Sequence, residues 1–267
     1  MKTTSPNYDP QNKLKLIQKI KLNKYYQGKN WAEINQQMFD RLAPKYDATN
    51  LMHCFFLKSY FDLQALKRLP LKNEMKVLDL CTGSGDMALK LKKLYPQIQI
   101  VALDYSPEML KVAKRRAEHH NITGIDWTQG DAMHLPFSDQ SFDGVIISFG
   151  LRNLSNLVDG LKEMHRVLRP GGFITSIDQG KPHNFFFKLI YRFYFYHIAP
   201  LLGKIIFHRG EFNTFRYLPE SNDYFPAPEQ LVGIFGEIGL KNVRAHSMFC
   251  GAINQQIGFK TGASPLG

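Results

Sequence analysis

Lys76-Val77-Leu78-Asp79-Leu80-Cys81-Thr82-Gly83-Ser84-Gly85-Asp86 is the stretch on which the fold turns. Val77 to Leu80 is a short apolar run that reads as a buried strand, Gly83 and Gly85 mark a turn, and Met87 to Leu94 reads as a helix. Strand, glycine turn and helix open a nucleotide-binding βαβ unit, in which glycine lets the backbone turn sharply and a ligand lie directly against it. A second apolar run, Ile98 to Leu103, ends in Asp104. An acid at the tip of the second strand can accept both hydroxyls of a ribose, so the spacing predicts a site for an adenosine-type ligand. Gly83-x-Gly85-x-x-Ala88 fits a dinucleotide fingerprint as well, which leaves the ligand open at this level.

The totals set limits. A chain of 267 residues with 44% hydrophobic content can bury one sizeable core. It holds no run of about 18 uncharged apolar residues, and its first residues lack the apolar core of a secretory leader. Cys54, Cys81 and Cys250 are far apart and match no metal or disulfide spacing, so a reducing cytosol is expected. The net charge of +11 points to an anionic partner. Residues 1–30 hold seven lysines against one acid, Asp9, so over half of the excess lies there and a nucleic-acid groove is not expected.

Read in order, the chain divides into a basic N-terminal arm (1–30), a helical cap (31–70), a main domain (71–260) with an acceptor-side insertion at 182–225, and a tail (261–267). In the arm, Leu14, Ile17 and Ile20 recur at helical spacing among lysines. That pattern suits an anionic membrane surface or a narrow stripe packed on the body. The helical pattern from Trp31 to Leu69 breaks at Ala43-Pro44. Strands are expected at 76–80, 98–104, 125–129, 144–148 and 173–177. Helices are expected at 87–94, 107–120 and 156–168, with Pro170-Gly171-Gly172 as a stop and turn. A helix at 227–238 and strands near 242–249 and 252–260 follow. The predicted fold is α/β, a doubly wound, mostly parallel seven-stranded sheet of Rossmann-like form with the last strand antiparallel. Residues 184–202 are the most aromatic stretch, interrupted by Lys188, Arg192 and His197. A helix of that kind must be buried, cover a ligand or touch lipid.

Several segments together resemble the class I S-adenosylmethionine methyltransferases. They are Leu78-Asp79-Leu80-x-x-Gly83-x-Gly85, Asp104, Gly130-Asp131-Ala132-x-x-Leu135-Pro136-Phe137, Ser141-Phe142-Asp143 and Leu168-x-Pro170-Gly171-Gly172. Ile147-Ser148-Phe149-Gly150-Leu151-Arg152-Asn153 and Phe39-x-x-Leu42-Ala43-Pro44-x-Tyr46-Asp47 narrow the resemblance to the UbiE/MenG quinone C-methyltransferases. The chain departs from that pattern at residues 50–56. The resemblance implies methyl transfer from S-adenosyl-L-methionine to a ring carbon of a reduced polyprenyl quinone precursor, a lipophilic quinol of the benzoquinol or naphthoquinol type. It implies cofactor contacts from Asp79, Gly83, Ser84, Gly85, Asp104, Asp131, Ala132 and Ser148.

The sulfonium already carries an activated methyl, so the protein must align the reacting atoms, exclude water and help a ring hydroxyl lose its proton. Arg152 is the candidate for stabilising the resulting phenolate or positioning a water, with a helix-terminus salt bridge as the bland reading. His197, Tyr217 and Asp178 are the further catalytic candidates. For Cys81, a small buried side chain is the expectation over a reactive thiol. No metal is called for. A methyltransferase for another small or lipid-like acceptor is the alternative within enzymes, and a membrane scaffold that senses the cofactor is the alternative outside them. A dehydrogenase would need a second glycine-rich half that is missing. The chain is expected in the cytoplasm with peripheral contact to an anionic membrane on its inner face. The oligomeric state is left open, a homodimer being one option.

Overall fold

The computed structural model describes residues 31–46, 57–182, 184–198, 201, 221–222 and 225–262. The basic stretch 13–27, the departure at 50–56, Tyr217 and most of 202–225 lie outside the described residues. Two helices precede the sheet, α1 (Trp31–Leu42) and α2 (Lys58–Leu66). Then come β1 (Lys76–Leu80), α3 (Asp86–Leu94), β2 (Gln99–Asp104), α4 (Pro107–His119), β3 (Ile125–Gln129), β4 (Phe142–Ser148), α5 (Leu157–Val167) and β5 (Leu168–Gln179). Helix α6 (Phe185–Phe193), helix α7 (Pro228–Glu237) and the hairpin of β6 (Leu240–Met248) and β7 (Ile253–Lys260) complete the described chain.

The seven strands form one sheet in the order β3-β2-β1-β4-β5-β7-β6. β1 to β5 pair in parallel, and β7 runs antiparallel to both β5 and β6, as the closing hairpin implies. Strand alternation sorts the core into two layers. Val77, Ile100, Ala102 and Ile146 face one cluster with Phe61 and Leu66 of α2 and Ala88 and Leu91 of α3. Leu78, Leu80, Val101, Val145 and Ile147 face the other, with Leu161 and Met164 of α5 and Leu231 and Phe235 of α7. Strand order reverses between β1 and β4, which opens a crevice at their carboxyl ends.

Local chemistry sets the helix starts. Ser106 Oγ accepts from Met109 N at 3.1 Å ahead of Pro107, and Asn156 Oδ1 accepts from Val158 N at 3.0 Å ahead of α5. The Pro170-Gly171-Gly172 turn needs a correction. β5 begins at Leu168, which pairs with Phe142, and the register then shifts before Gly144 meets Phe173. The chain leaves α5 directly into the strand, and the glycines fall in an irregularity of that strand rather than in a loop before it.

At mid-sheet Gly144 is required sterically. A Cβ there would lie 2.4 Å from Phe173 Cζ. Gly144→Ala should cost about 1–3 kcal/mol of stability in urea unfolding, and adding Phe173→Leu should restore most of it; an unchanged midpoint would contradict this packing.

Candidate active site

The β1–α3 loop is shaped by two buried acids. Asp79 Oδ2 accepts from Thr82 Oγ1 at 2.6 Å and from Ala88 N at 3.0 Å, tying the loop to the first turn of α3. Asp104 Oδ2 accepts from Gly83 N at 2.7 Å, and its Oδ1 accepts from Ser106 N at 2.9 Å. Burial raises both carboxyls, Asp79 to about 7 and Asp104 to about 6, against the pull of these hydrogen bonds. Gly83 and Gly85 have φ of 57° and 81°, which lets the loop turn within so few residues. Cys81 and Phe149, at the ends of β1 and β4, hold left-handed backbone without being glycine, φ 55° each. Such strain persists where the surroundings enforce it, and both residues line the crevice.

The crevice spans about 740 Å³ with the open solvent at its mouth included. Gly83, Asp104, Asp131, Ala132 and Ser148 meet on its wall, as the sequence predicts. Asp131 Oδ1 accepts from Met133 N at 2.9 Å, which leaves its other oxygen toward the weak contact with His134 at 3.8 Å. Ser148 Oγ is buried with no hydrogen-bond partner among the described residues. An orphaned hydroxyl in a polar cleft marks a place where a ligand group completes the bonding. Asp104 accepts backbone bonds from Gly83, Ser106 and Tyr105, and the acceptor capacity left on the carboxylate can take a ribose hydroxyl. These residues fit S-adenosyl-L-methionine.

Other residues sit elsewhere. Gly85 does not line the crevice; it packs against Trp127 and Ala113, where an added Cβ would come within 3.0 and 3.1 Å of them. The Ser84 hydroxyl and carbonyl both accept from Arg116 Nη1 at 2.8 Å, and with Asp79 this serine lines a smaller neighbouring recess. Arg116 also pairs with Asp86 at 2.7 Å, and Asp86 with Lys58 at 2.9 Å. Against burial, Lys58, Lys90 and Arg116 hold the Asp86 carboxyl well below its usual range. The Cys81 thiol is pushed up by burial and by the Asp104 charge, which agrees with a packing role.

The catalytic candidates divide. Arg152 and Asp178 form a buried ion pair, and the Arg152 backbone N–H also donates to Asp178 Oδ2 at 3.4 Å. Burial raises the Asp178 carboxyl, with Arg152 pulling against it. Gln179 N donates to the same carboxylate at 2.8 Å, so Asp178 acts as the holder of Arg152 and has little left for taking a proton. His197 is exposed at the end of the aromatic segment, its ring 5.3 Å from that of Phe193, and does not line the crevice. Tyr217 lies outside the described residues.

Sequence reasoning missed the underside of the cap. Asn35 of α1 donates from Nδ2 to Asn153 O at 2.8 Å, and Asp40 Oδ1 accepts from Ser106 Oγ at 2.5 Å. These two bonds fasten α1 across the crevice. Tyr46 covers the glycine loop, its ring carbon 3.3 Å from where a Gly83 Cβ would stand. Tyr46 belongs to the Phe39-x-x-Leu42-Ala43-Pro44-x-Tyr46-Asp47 motif, but Asn35 and Asp40 carry no spacing signal.

Fold and site together define a class I S-adenosylmethionine-dependent methyltransferase. Solved structures agree on the architecture. A SAM-dependent methyltransferase from Aquifex aeolicus matches with a TM-score of 0.55 at 18% identity, covering 74% of this chain and 88% of that one. A Haemonchus contortus phosphoethanolamine N-methyltransferase 2 in complex with S-adenosyl-L-methionine matches with a TM-score of 0.63 at 17% identity, covering 85% and 60%. Among sequences, the demethylmenaquinone methyltransferase of Thermus thermophilus is 39% identical over 76% of this chain and 90% of its own length. That of Bacillus subtilis is 34% identical over 84% and 95%. The ubiquinone/menaquinone biosynthesis C-methyltransferase UbiE of Geotalea daltonii is 33% identical over 84% and 95%. The ubiE/COQ5 methyltransferase family model matches residues 27–260, and the chain belongs to that family.

Because Asp178 is buried against Arg152, removing the cation strands a charge. Arg152→Met should cost about 3–5 kcal/mol in denaturant unfolding, and Arg152→Met with Asp178→Leu should recover most of it. A loss below about 1 kcal/mol for the single change would show that the pair does not hold this turn.

Proposed function

We propose that the chain transfers the methyl of S-adenosyl-L-methionine to a ring carbon of a reduced polyprenyl quinone precursor, demethylmenaquinol or a related benzoquinol or naphthoquinol. What carries this reading is one cleft that sets an acid-lined donor wall (Asp104, Asp131) beside apolar side chains (Phe39, Phe149, Leu154), in a chain whose relatives are named for demethylmenaquinone and ubiquinone methylation. Asp104 would accept the ribose hydroxyls and Asp131, with Ala132, would face the adenine. The Gly83 backbone would lie against the ligand under Tyr46, and the Ser148 hydroxyl would gain the partner it lacks. Bound there, the cofactor supplies an electrophilic methyl on a sulfonium.

The remaining work belongs to the chain. A quinol ring carbon becomes nucleophilic when the adjacent hydroxyl loses its proton, so only the reduced ring reacts. Arg152, fixed by Asp178 and flanked by the crevice-lining Gly150 and Asn153 without lining the crevice itself, is assigned to the phenolate oxygen through a water that takes the proton. Asn35 and Asp40 keep α1 closed over the cleft, which excludes bulk water and holds donor and acceptor in line. A polyprenyl tail keeps the acceptor in a bilayer, so the enzyme would work at the inner face of the membrane.

The test is turnover. With S-adenosyl-L-methionine and a short-tailed demethylated naphthoquinol kept reduced, mass spectrometry should find one added ring methyl, and none on the oxidised quinone. Equal conversion of the oxidised form, or methylation on oxygen, would overturn the reading. Asp104→Ala should weaken cofactor binding by about 2–4 kcal/mol in calorimetry, as expected for hydrogen bonds to a charged acceptor.

A further inference from the structure

Helix α6 turns its apolar side outward. Phe185, Phe186, Leu189, Ile190 and Phe193 are 59–74% exposed, and their spacing puts them on one face. The helix is nevertheless fastened. Asn184 Oδ1 caps it by accepting from Phe187 N at 3.0 Å, and Tyr191 and the following Phe195 are buried with Ala252. Phe187 meets Phe249 edge-on at 5.0 Å. The inner face therefore does the packing, and the outer stripe is surplus to it. Contiguous exposed aromatic surface of this kind marks an interaction site.

Charge chooses the occupant. Between Asp178 and Glu211 the sequence has Lys181, Lys188, Arg192, Lys204 and Arg209 and no acid. Lys188 and Arg192 are exposed, and at 100° per residue they fall along one border of the stripe. An apolar stripe edged only by cations fits acyl chains below anionic headgroups, whereas a protein surface ordinarily offers mixed charge. No helix among the described residues is long and apolar enough to cross a membrane, so the fit is to lying in the interface. The link 180–184 joins α6 to the end of β5, where Asp178 holds Arg152.

We propose that α6 is a docking helix for an anionic phospholipid bilayer, lying in the interfacial plane with Phe185, Phe186, Leu189, Ile190 and Phe193 among the acyl chains and Lys188 and Arg192 at the headgroups. This deepens the reading of a polyprenyl acceptor, because it places the cleft beside the phase that holds such a substrate.

The experiment is flotation of the full chain, without cofactor or quinol, on vesicles of phosphatidylcholine with and without phosphatidylglycerol. The wild type should float with the anionic vesicles and keep part of its binding at high salt, since apolar insertion is not screened. Phe186→Ser with Phe193→Ser should lower the partition more than about tenfold while the melting temperature and turnover of a short-tailed quinol stay unchanged. Equal flotation of wild type and variant, or no flotation of either, overturns the proposal. A wild-type dimer that the same changes dissociate, with no vesicle binding, assigns the face to a second copy and also overturns it. Failure of the short-tailed quinol to react would count against the acceptor and leave the vesicle result standing.

Discussion

The cleft depends on two carboxylates kept out of water to shape one loop. Asp79 draws Thr82 and the start of α3 together, and Asp104 bridges Gly83 to Ser106. Neither acid is neutralised by a contacting cation in these bonds; Asp79 is given a hydroxyl and a backbone N–H, and Asp104 backbone N–H groups alone. The cost appears in their raised carboxyls, about 7 and about 6. A carboxyl raised in the folded state weakens the fold as pH climbs from its unfolded value, near 4, through its folded one. Under the proposed function, ribose hydroxyls would supply further donors to Asp104, and the cost of burying that carboxylate would become selectivity for the ligand.

The same bonds reach the rest of the molecule. Ser106 caps α4, donates its backbone N–H to Asp104 and its hydroxyl to Asp40, and so couples the cofactor wall to the covering helix α1. Across the switch point, the Gly150–Asn153 turn is held by Asp178 through Arg152 and by Asn35 through Asn153. The crevice wall at Asp104, the Arg152–Asp178 pair and the covering helix are thus tied to neighbouring strand ends. For a reaction whose methyl is already activated, such fixed alignment supplies most of what catalysis needs.

Much of this was legible in the chain. β1, β2 and β4 are buried on both faces, so they appear as mostly apolar runs, and Asp104 at the tip of β2 stands out against them. Gly83, Asp104, Asp131, Ala132 and Ser148 fall together because parallel strands deliver equivalent ends to one edge. Illegible were the long-range polar pairs. Ser84 is held by Arg116, 32 positions away, and Arg152 by Asp178, 26 positions away. No local pattern encodes them; they arise when α4 packs beside the loop and β5 registers against β4. The start of β5 was obscured by Pro170-Gly171-Gly172, whose turn chemistry is real but is absorbed as a strand irregularity. In the aromatic segment the composition gave away an unusual helix, whereas its division into a packed face and a bare one needed coordinates.

The central claim is that the Asp104 carboxyl, raised by burial, ionises fully when ribose hydroxyls donate to it. Calorimetry of S-adenosyl-L-methionine binding at pH 6, in buffers of different ionisation enthalpy, measures it as a proton count. The expected result is release of up to about half a proton by the wild type, since hydroxyl donors favour the ionised carboxylate. Release should vanish in Asp104→Asn and fade toward pH 8. Proton uptake, or no proton exchange by the wild type at pH 6, would contradict the account.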